Sequence, residues 1–254
     1  MQKIRLDILL VERHLVESRT SAQRLIMAGE VKVNGDIAML PSQKVDTSST
    51  LEILPSQPYI SRGGEKLKVA LSAFGREDLT GKICVDVGAS TGGFTDCLLK
   101  QGATRVYAVD VGYGLLHWSL RNHPKVVVME KMNARYLESF PEKINFVTID
   151  ASFISLDRLL PVVKKWFGEQ GEVIALIKPQ FEVGRKEASK GRGVIRDKEL
   201  HEKVVARIIE VSNNLGYKVK GTVSSPLLGP KGNREFFIHL VFPKIKRMVN
   251  RTML

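Results

Sequence analysis

The chain has few cysteines and lacks any long apolar segment. Only two cysteines occur in 254 residues, which argues against a disulfide framework or a cysteine-rich metal site. There is no run of about eighteen apolar residues, and no charged-then-apolar leader with a cleavage site. We therefore expect neither a membrane-spanning helix nor a secretory signal, and we expect a folded protein of the reducing cytoplasm.

Acidic side chains are also scarce relative to basic ones. Lys and Arg number 39 against 27 Asp and Glu, which gives a formal net charge of +12. Such an excess favours a polyanionic partner, with nucleic acid first and a membrane surface second. The 43% of hydrophobic residues can fill the core of one ordinary domain and a small one.

The stretch from Ile83 to Cys97 predicts a buried strand, a loop of small residues and the start of a helix. Gly88, Gly92 and Gly93 leave a backbone with little side-chain bulk, against which a ligand can lie. Their spacing is not that of the dinucleotide fingerprint, and the loop lacks the Gly-Lys-Ser/Thr ending of a phosphate loop. Another adenosine-type ligand fits this loop better.

A second predicted strand, residues 105–110, ends on an acid. Asp110 follows Asp86 by 24 positions. In open α/β sheets ligands bind outside the carboxyl ends of the strands, and an acid there can accept both hydroxyls of an adenosine ribose. The alternative is an ordinary βαβ unit whose glycines only turn the chain.

The N-terminal part predicts a separate small module. Apolar residues recur at helical spacing over residues 4–14 and 20–28, which predicts two helices. Thr20 begins a capping box for the second helix, and Gly29 is expected to end it. Asn34-Gly35 predicts a type I′ hairpin turn, and another short strand follows. The chain thus divides into a module, a linker, a larger domain and a basic tail, residues 1–54, 55–62, 63–243 and 244–254.

The sequence of the small module resembles the RNA-binding module of small-subunit ribosomal protein four and bacterial pseudouridine synthases. The resemblance rests on three segments, Arg5–Arg13, Ser18–Ile26 and Gly29–Gly35. In that family the second helix and the following loop contact RNA, which implies phosphate contacts for Arg19, Arg24 and Lys32. Basic and acidic residues balance within residues 1–60, so a solvated capping module is the alternative.

The larger domain predicts an α/β fold with a mainly parallel sheet and an antiparallel last strand. The predicted helices cover residues 61–74, 115–121, 156–167 and 197–215. The predicted strands, besides the two described above, cover residues 126–129, 144–150, 173–178, 217–224 and 235–242.

Asp150 and Lys178 each end a predicted strand of this sheet. We therefore expect both at the carboxyl edge of the sheet, with Gly88 and Asp110. Lys178 follows an apolar run that is covered on both faces, and desolvation there favours its neutral, basic form. Lys178 could therefore take a proton from a hydroxyl. Lys66 would add like-charge repulsion, while Asp150 and Glu235 would orient the two ammonium groups. The alternative is that each lysine pairs with an acid for structural reasons.

Together these features resemble the TlyA family over essentially the whole chain. Its members are known as haemolysin A and as ribosomal RNA 2′-O-ribose methyltransferases with an FtsJ-like catalytic domain. The resemblance implies a catalytic tetrad of Lys66, Asp150, Lys178 and Glu235. It also implies S-adenosylmethionine contacts for Asp86, Gly88, Ala89, Ser90, Thr91, Gly92, Gly93, Phe94, Thr95, Asp110, Val111, Asn133 and Asp150.

The resemblance also implies the fold and the partners. We expect a class I (Rossmann-like) methyltransferase sheet, S-adenosylmethionine as cofactor, and ribosomal RNA or ribosomal subunits as partners, with no membrane required. Lys178 would be the base. Further RNA contacts are expected from Arg62, Arg185, Lys190 and Arg192.

Two other functions stay open at this point. A haemolysin-like protein would have to bind or breach membranes, although no spanning segment is predicted. A dinucleotide-dependent oxidoreductase agrees with Asp110 but not with the loop spacing.

Overall fold

The computed structural model describes residues 3–27, 29–54, 58–184, 191, 193–229 and 231–243. The chain divides into two compact units, Met1–Gln57 and Pro58–Leu254. Residues 55–57 and the basic tail lie outside the described part, so the limits given above for the linker and the tail stay predictions.

The first unit is a small α/β module. Its elements are β1 Lys3–Arg5, α1 Leu6–Glu12, α2 Arg19–Met27, β2 Val31–Val33, β3 Asp36–Ile37, β4 Lys44–Asp46 and β5 Leu51–Ile53. Strand β2 pairs with β3 and β5, and β1 pairs with β4. Fully buried Leu6, Leu10 and Ile26 fill its core.

The predicted turn of this module is confirmed, whereas the predicted helix cap is wrong. Asn34 and Gly35 have φ of 53° and 92°, the left-handed values that a type I′ turn requires. Helix α2 begins one residue earlier than predicted, and Ser18 Oγ, not Thr20, accepts a hydrogen bond from the backbone N–H of Ser21 at 3.2 Å.

The second unit is a doubly covered α/β sheet. Its elements are α3 Arg62–Ala73, β6 Ile83–Val87, α4 Gly93–Lys100, β7 Arg105–Val109, α5 Trp118–Arg121, β8 Val126–Met129, β9 Ile144–Ile149, α6 Leu156–Trp166, β10 Phe167–Ile177, α7 Pro179–Glu182, α8 Lys198–Asn214, β11 Lys218–Ser224 and β12 Phe236–Phe242. The strand order is β11-β12-β10-β9-β6-β7-β8. Only the pairings of β12 with β10 and β11 within this sheet are antiparallel, which confirms the predicted fold class.

Apolar side chains cover both faces of the sheet. On one face Leu160 of α6 and Ile208 of α8 pack against the strands, and on the other Leu67 of α3 and Leu98 of α4 do so. All four side chains are fully buried. Because both faces are covered, a polar group can reach solvent mainly where a strand ends.

Three local predictions for this unit need correction. The helix expected over 115–121 is only α5, because His117, with φ of −55° and ψ of 140°, is not helical and caps the helix by accepting from the Ser119 N–H. Strand β10 begins at Phe167, since it already pairs there with Ile144. The sequence also predicts Lys66 in the first turn of its helix, beside the glycine pair, but it lies in the second turn of α3. The short helix α7 was not expected.

Candidate active site

The glycine loop after β6 lies against the backbone of the Asp150 segment. A Cβ built on Gly88 would come within 2.8 Å of the Asp150 carbonyl oxygen, and Gly88 has a left-handed φ of 84°. A Cβ on Gly93 would come within 2.2 Å of Ser61 Oγ and 2.9 Å of the Gly64 nitrogen. Side chains are therefore excluded at both positions, which leaves a bare backbone at this edge of the sheet.

Asp86 supports this loop from below. Its fully buried carboxylate accepts hydrogen bonds from Thr95 Oγ1 at 2.7 Å and from Thr148 Oγ1 at 3.2 Å. Burial raises the pKa of Asp86 to about 7, against the lowering effect of the two threonines. Asp86, Thr95 and Gly92 line neither of the two cavities described next. They shape the loop, and the cofactor contacts expected for them stay predictions.

Asp110 ends β7 beside the loop. Its two carboxylate oxygens accept hydrogen bonds from the backbone N–H groups of Ser90 at 2.8 Å and Gly112 at 2.7 Å. Each oxygen keeps a free lone pair for a hydroxyl donor. Asn133 Oδ1 accepts from the Arg135 N–H at 3.0 Å, so its amide nitrogen is available as a donor.

Two adjoining cavities open at the carboxyl edge of the sheet. One of about 390 Å³ is lined by Asp110, Val111, Asn133 and residues 150–154. The other, of about 430 Å³, is lined by Arg62, Ala89, Thr91, Phe94 and all four predicted tetrad residues. Gly88, Ser90, Asp150 and Ser152 line both cavities. An adenosine-sized group and a second substrate can therefore meet at Asp150.

The structure brings the four predicted tetrad residues together as two ion pairs. Lys66 Nζ donates to Glu235 Oε2 at 2.7 Å, and the Glu235 side chain is 1% exposed. Lys178 Nζ lies 2.7 Å from Asp150 Oδ1, in a geometry outside that of a hydrogen bond. Its hydrogen bonds go to the Asp150 carbonyl at 3.3 Å and to Ser152 Oγ at 3.0 Å.

Burial governs the electrostatics of this cluster. It raises the pKa of Asp150 above the usual aspartate range, although Lys178 and then Lys66 oppose the rise. Glu235 adds a further upward contribution through like charge. Two ammonium groups and two carboxylates thus balance one another in a site that is mostly closed to water, which suits proton removal from a bound hydroxyl.

Three residues of the site were not predicted. Ser152 Oγ accepts a hydrogen bond from Lys178 Nζ, and Gln180 Nε2 donates one to Glu235 Oε1 at 3.5 Å. Phe153 has a left-handed φ of 64°, is 90% exposed and contacts the Phe181 ring at a centroid distance of 4.8 Å. All three lie two or three residues after Asp150 or Lys178, so their position beside a strand-end charge was the available signal.

The predicted RNA contacts differ in their surroundings. Arg24 is exposed, Lys32 is half-buried in β2, and Arg62 is exposed at the larger cavity. Arg19 Nε is 2.9 Å from a buried oxygen of Asp7, so part of this guanidinium stabilises the first unit. Hydrogen bonds from Arg5, Gln23 and Arg19 hold the pKa of Asp7 well below its usual range. Arg185, Lys190 and Arg192 lie outside the described residues.

No helix within the described ranges is long and apolar enough to cross a membrane.

Two protein families match the chain. The FtsJ-like methyltransferase family matches residues 59–242, and the S4 domain family matches residues 4–51. The first match contains the whole seven-stranded sheet and all four tetrad residues, and the second contains α1, α2 and the Asn34-Gly35 turn.

Individual proteins are similar over nearly the full chain. YqxC of Bacillus subtilis, provisionally named an rRNA methyltransferase, is 46% identical over 95% of this chain and 87% of its own. The 16S/23S rRNA (cytidine-2′-O)-methyltransferase TlyA of Mycobacterium tuberculosis is 42% identical over 94% of this chain and 90% of its own. A solved structure from Streptococcus thermophilus, provisionally named a hemolysin, is 42% identical with a TM-score of 0.72, and covers 96% of this chain and 90% of its own.

The family matches agree with the site geometry, namely the bare glycine loop and the two lysine–carboxylate pairs. The chain belongs to the FtsJ-like methyltransferase family and carries an S4 domain at its N-terminus.

Proposed function

We propose that the protein transfers a methyl group from S-adenosylmethionine to a ribose 2′-hydroxyl of ribosomal RNA. The observation that carries this proposal is the position of Lys178 and Asp150, which face the junction of the two adjoining cavities. Relatives whose names give rRNA cytidine 2′-O-methylation as their activity support the same substrate class. This substrate would place the protein with ribosomes in the cytoplasm.

The cofactor contacts follow from the smaller cavity. Asp110 would accept the two ribose hydroxyls of the cofactor on its free lone pairs, and Asn133 would donate to the adenine. The bare backbone at Gly88 would allow close approach of the cofactor chain. Bound S-adenosylmethionine would supply a methyl group that is already activated on a sulfonium.

The larger cavity would hold the target ribose. Lys178 would take the proton of the 2′-hydroxyl, while Asp150 and Ser152 keep its Nζ at the junction. Lys66, fixed by Glu235, would hold the ribose in place through its remaining donors. Most of the rate would come from holding the two reacting groups at short distance, which can supply several kcal/mol.

The rim of the site is suited to RNA. Phe153 presents an exposed ring that contacts Phe181, and unstacked bases bind to such aromatic faces. Arg62 would contact a phosphate. The S4 domain would add phosphate contacts through Arg24 and Lys32.

The test is transfer of tritium from labelled S-adenosylmethionine to 16S and 23S rRNA, offered as naked RNA and as isolated subunits. Methylation of the 2′-hydroxyl blocks alkaline cleavage, so the label should appear in alkali-resistant dinucleotides. Lys178→Met serves as the matched negative control. Label released as mononucleotides would mean that a base is methylated instead. Dye release from liposomes or binding of a nicotinamide cofactor without RNA labelling would favour the membrane or oxidoreductase alternatives.

A further inference from the structure

A third ion pair, between Arg207 and the buried carboxylate of Glu182, lies outside both cavities. Glu182 ends α7, four residues after Lys178, and its side chain is only 2% exposed. Its carboxylate accepts hydrogen bonds from Arg207 Nη2, from Ser155 Oγ and, at 2.8 Å, from the Leu156 N–H. Removing a carboxylate from water costs free energy, which these three donors offset. A surface acid that stays in water does not need such partners.

This carboxylate joins two segments that are separate in sequence. Residues 150–155 continue from β9, and Ser155 caps the start of α6. Residues 178–182 continue from β10. Arg207 of α8 contacts both segments, because its Nη2 lies 3.2 Å from the Glu182 carbonyl and 3.5 Å from Ser155 Oγ.

The two reactive residues lie where the pairing of their own two strands stops. Strands β9 and β10 pair with each other only as far as Ile149 and Ala175, although the Asp150 N–H still donates to the Val87 carbonyl at 2.9 Å and Ile177 still pairs with Phe236. Past Lys178, the two segments meet at the contact among Glu182, Ser155 and Arg207. The rings of Phe153 and Phe181 add a second contact between the same segments.

We infer that the Glu182–Arg207 ion pair is a positioning device, which holds the Lys178 segment against the Asp150 segment. This inference rests on the function proposed above. Neither residue lines either cavity, so they act through Lys178 and are positioning residues. Burial raises the pKa of Glu182, although Ser155, the Leu156 N–H and Arg207 oppose this.

Glu182→Gln tests the inference, because it keeps the size of the side chain but removes the charge that Arg207 binds. We expect kcat for RNA methylation to fall about tenfold or more, while the Kd for S-adenosylmethionine stays within about threefold. Glu172→Gln is the matched control. Glu172 lies on β10 six residues before Lys178 and pairs with Arg76 and His239, away from both cavities. The Glu172→Gln substitution should lower the free energy of unfolding and leave kcat for RNA methylation unchanged.

A second measurement does not depend on activity. Trace acetylation with acetic anhydride, followed by peptide mass spectrometry, reports how freely Lys178 reacts. Labelling of Lys178 should rise severalfold in Glu182→Gln over the wild type and over Glu172→Gln. If Glu182→Gln does not fold, Arg207→Lys replaces it, since a lysine keeps the charge but cannot contact Glu182, Ser155 and Asp157 together.

Two results would overturn the inference. One is a kcat of Glu182→Gln equal to that of Glu172→Gln, and the other is unchanged labelling of Lys178. A wild-type protein that methylates no RNA would contradict the proposed function instead, and the labelling alone would then decide the inference.

Discussion

Lys178 Nζ and Asp150 Oδ1 lie 2.7 Å apart at the ends of two neighbouring parallel strands, at the junction of two cavities. The pairing explains how a lysine can be held at the end of an apolar strand, since an isolated charge there would be strongly disfavoured. It also fixes the direction in which the amine faces.

Replacing Lys178 with Met should abolish most of the activity. Methionine keeps the apolar stem but removes the amine that takes the proton, so methyl transfer should fall by about 10² or more. Single-turnover assays measure this loss, and an active Lys178→Met enzyme would assign proton removal to another group or to water.

Replacing Asp110 with Ala should weaken cofactor binding. Charge-assisted hydrogen bonds are worth roughly 1.5 to 3 kcal/mol each, so calorimetry should show at least a tenfold loss of S-adenosylmethionine affinity. Asp78→Ala is the control. Asp78 accepts a hydrogen bond from the backbone N–H two residues later, that of Thr80 at 2.8 Å, just as Asp110 accepts from Gly112. Unlike Asp110, Asp78 lines neither cavity. Equal affinities of the two variants would disprove the ribose assignment.

Replacing Phe153 with Ala should weaken binding of the RNA substrate, because its exposed ring can stack on an unpaired base. Loss of one stacked base costs roughly 1 to 3 kcal/mol, which predicts a rise in KM for RNA of about fivefold or more. Phe153→Tyr keeps an aromatic face and should retain most of the affinity. If Ala and Tyr behave alike, the exposed ring has no part in substrate binding.

Neutralising Arg24 and Lys32 together should reduce the salt dependence of RNA binding. Each lost phosphate contact removes about 0.7 to 0.9 from the slope of log affinity against log salt. Filter binding at several salt concentrations measures this. Lys218→Gln/Lys220→Gln, at the exposed edge strand β11, controls for net charge and should leave the slope nearly unchanged. Arg19 is left intact, because it also pairs with the buried Asp7.

Asp86 should make the protein less stable as the pH rises. Its pKa is about 7 in the folded protein, against about 3.8 for an aspartate exposed to water. A carboxyl with a raised folded-state pKa contributes stability that is complete below the unfolded value and is lost as the pH rises through about 7. Asp86→Asn keeps the shape of the side chain without the charge; its Oδ1 can accept from one threonine hydroxyl, while its Nδ2 must donate to the other. Urea unfolding should show the variant gaining about 2 kcal/mol or more on the wild type between pH 5 and 8, and parallel pH curves would refute this.

Local sequence was enough to place most elements of the sheet and several of its reactive residues. Apolar runs that stop at a charge, as at Asp150 and Lys178, locate strand ends, because a strand covered on both faces can carry a charge only where it leaves the sheet. The left-handed turn at Asn34-Gly35 likewise follows from the residues themselves.

Tertiary structure decided which groups touch. Lys66 and Glu235 are 169 positions apart, and no local pattern fixes their 2.7 Å contact. Asp86 looked like a cofactor ligand beside the glycine loop, but side-chain alternation along β6 directs it into the interior, where it meets Thr95 and Thr148. Arg19 looked free for RNA until folding placed Asp7 under it. Local sequence sets where a strand ends and how a turn bends, because those depend on neighbouring residues, whereas pairing across the sheet depends on the register and packing of distant segments.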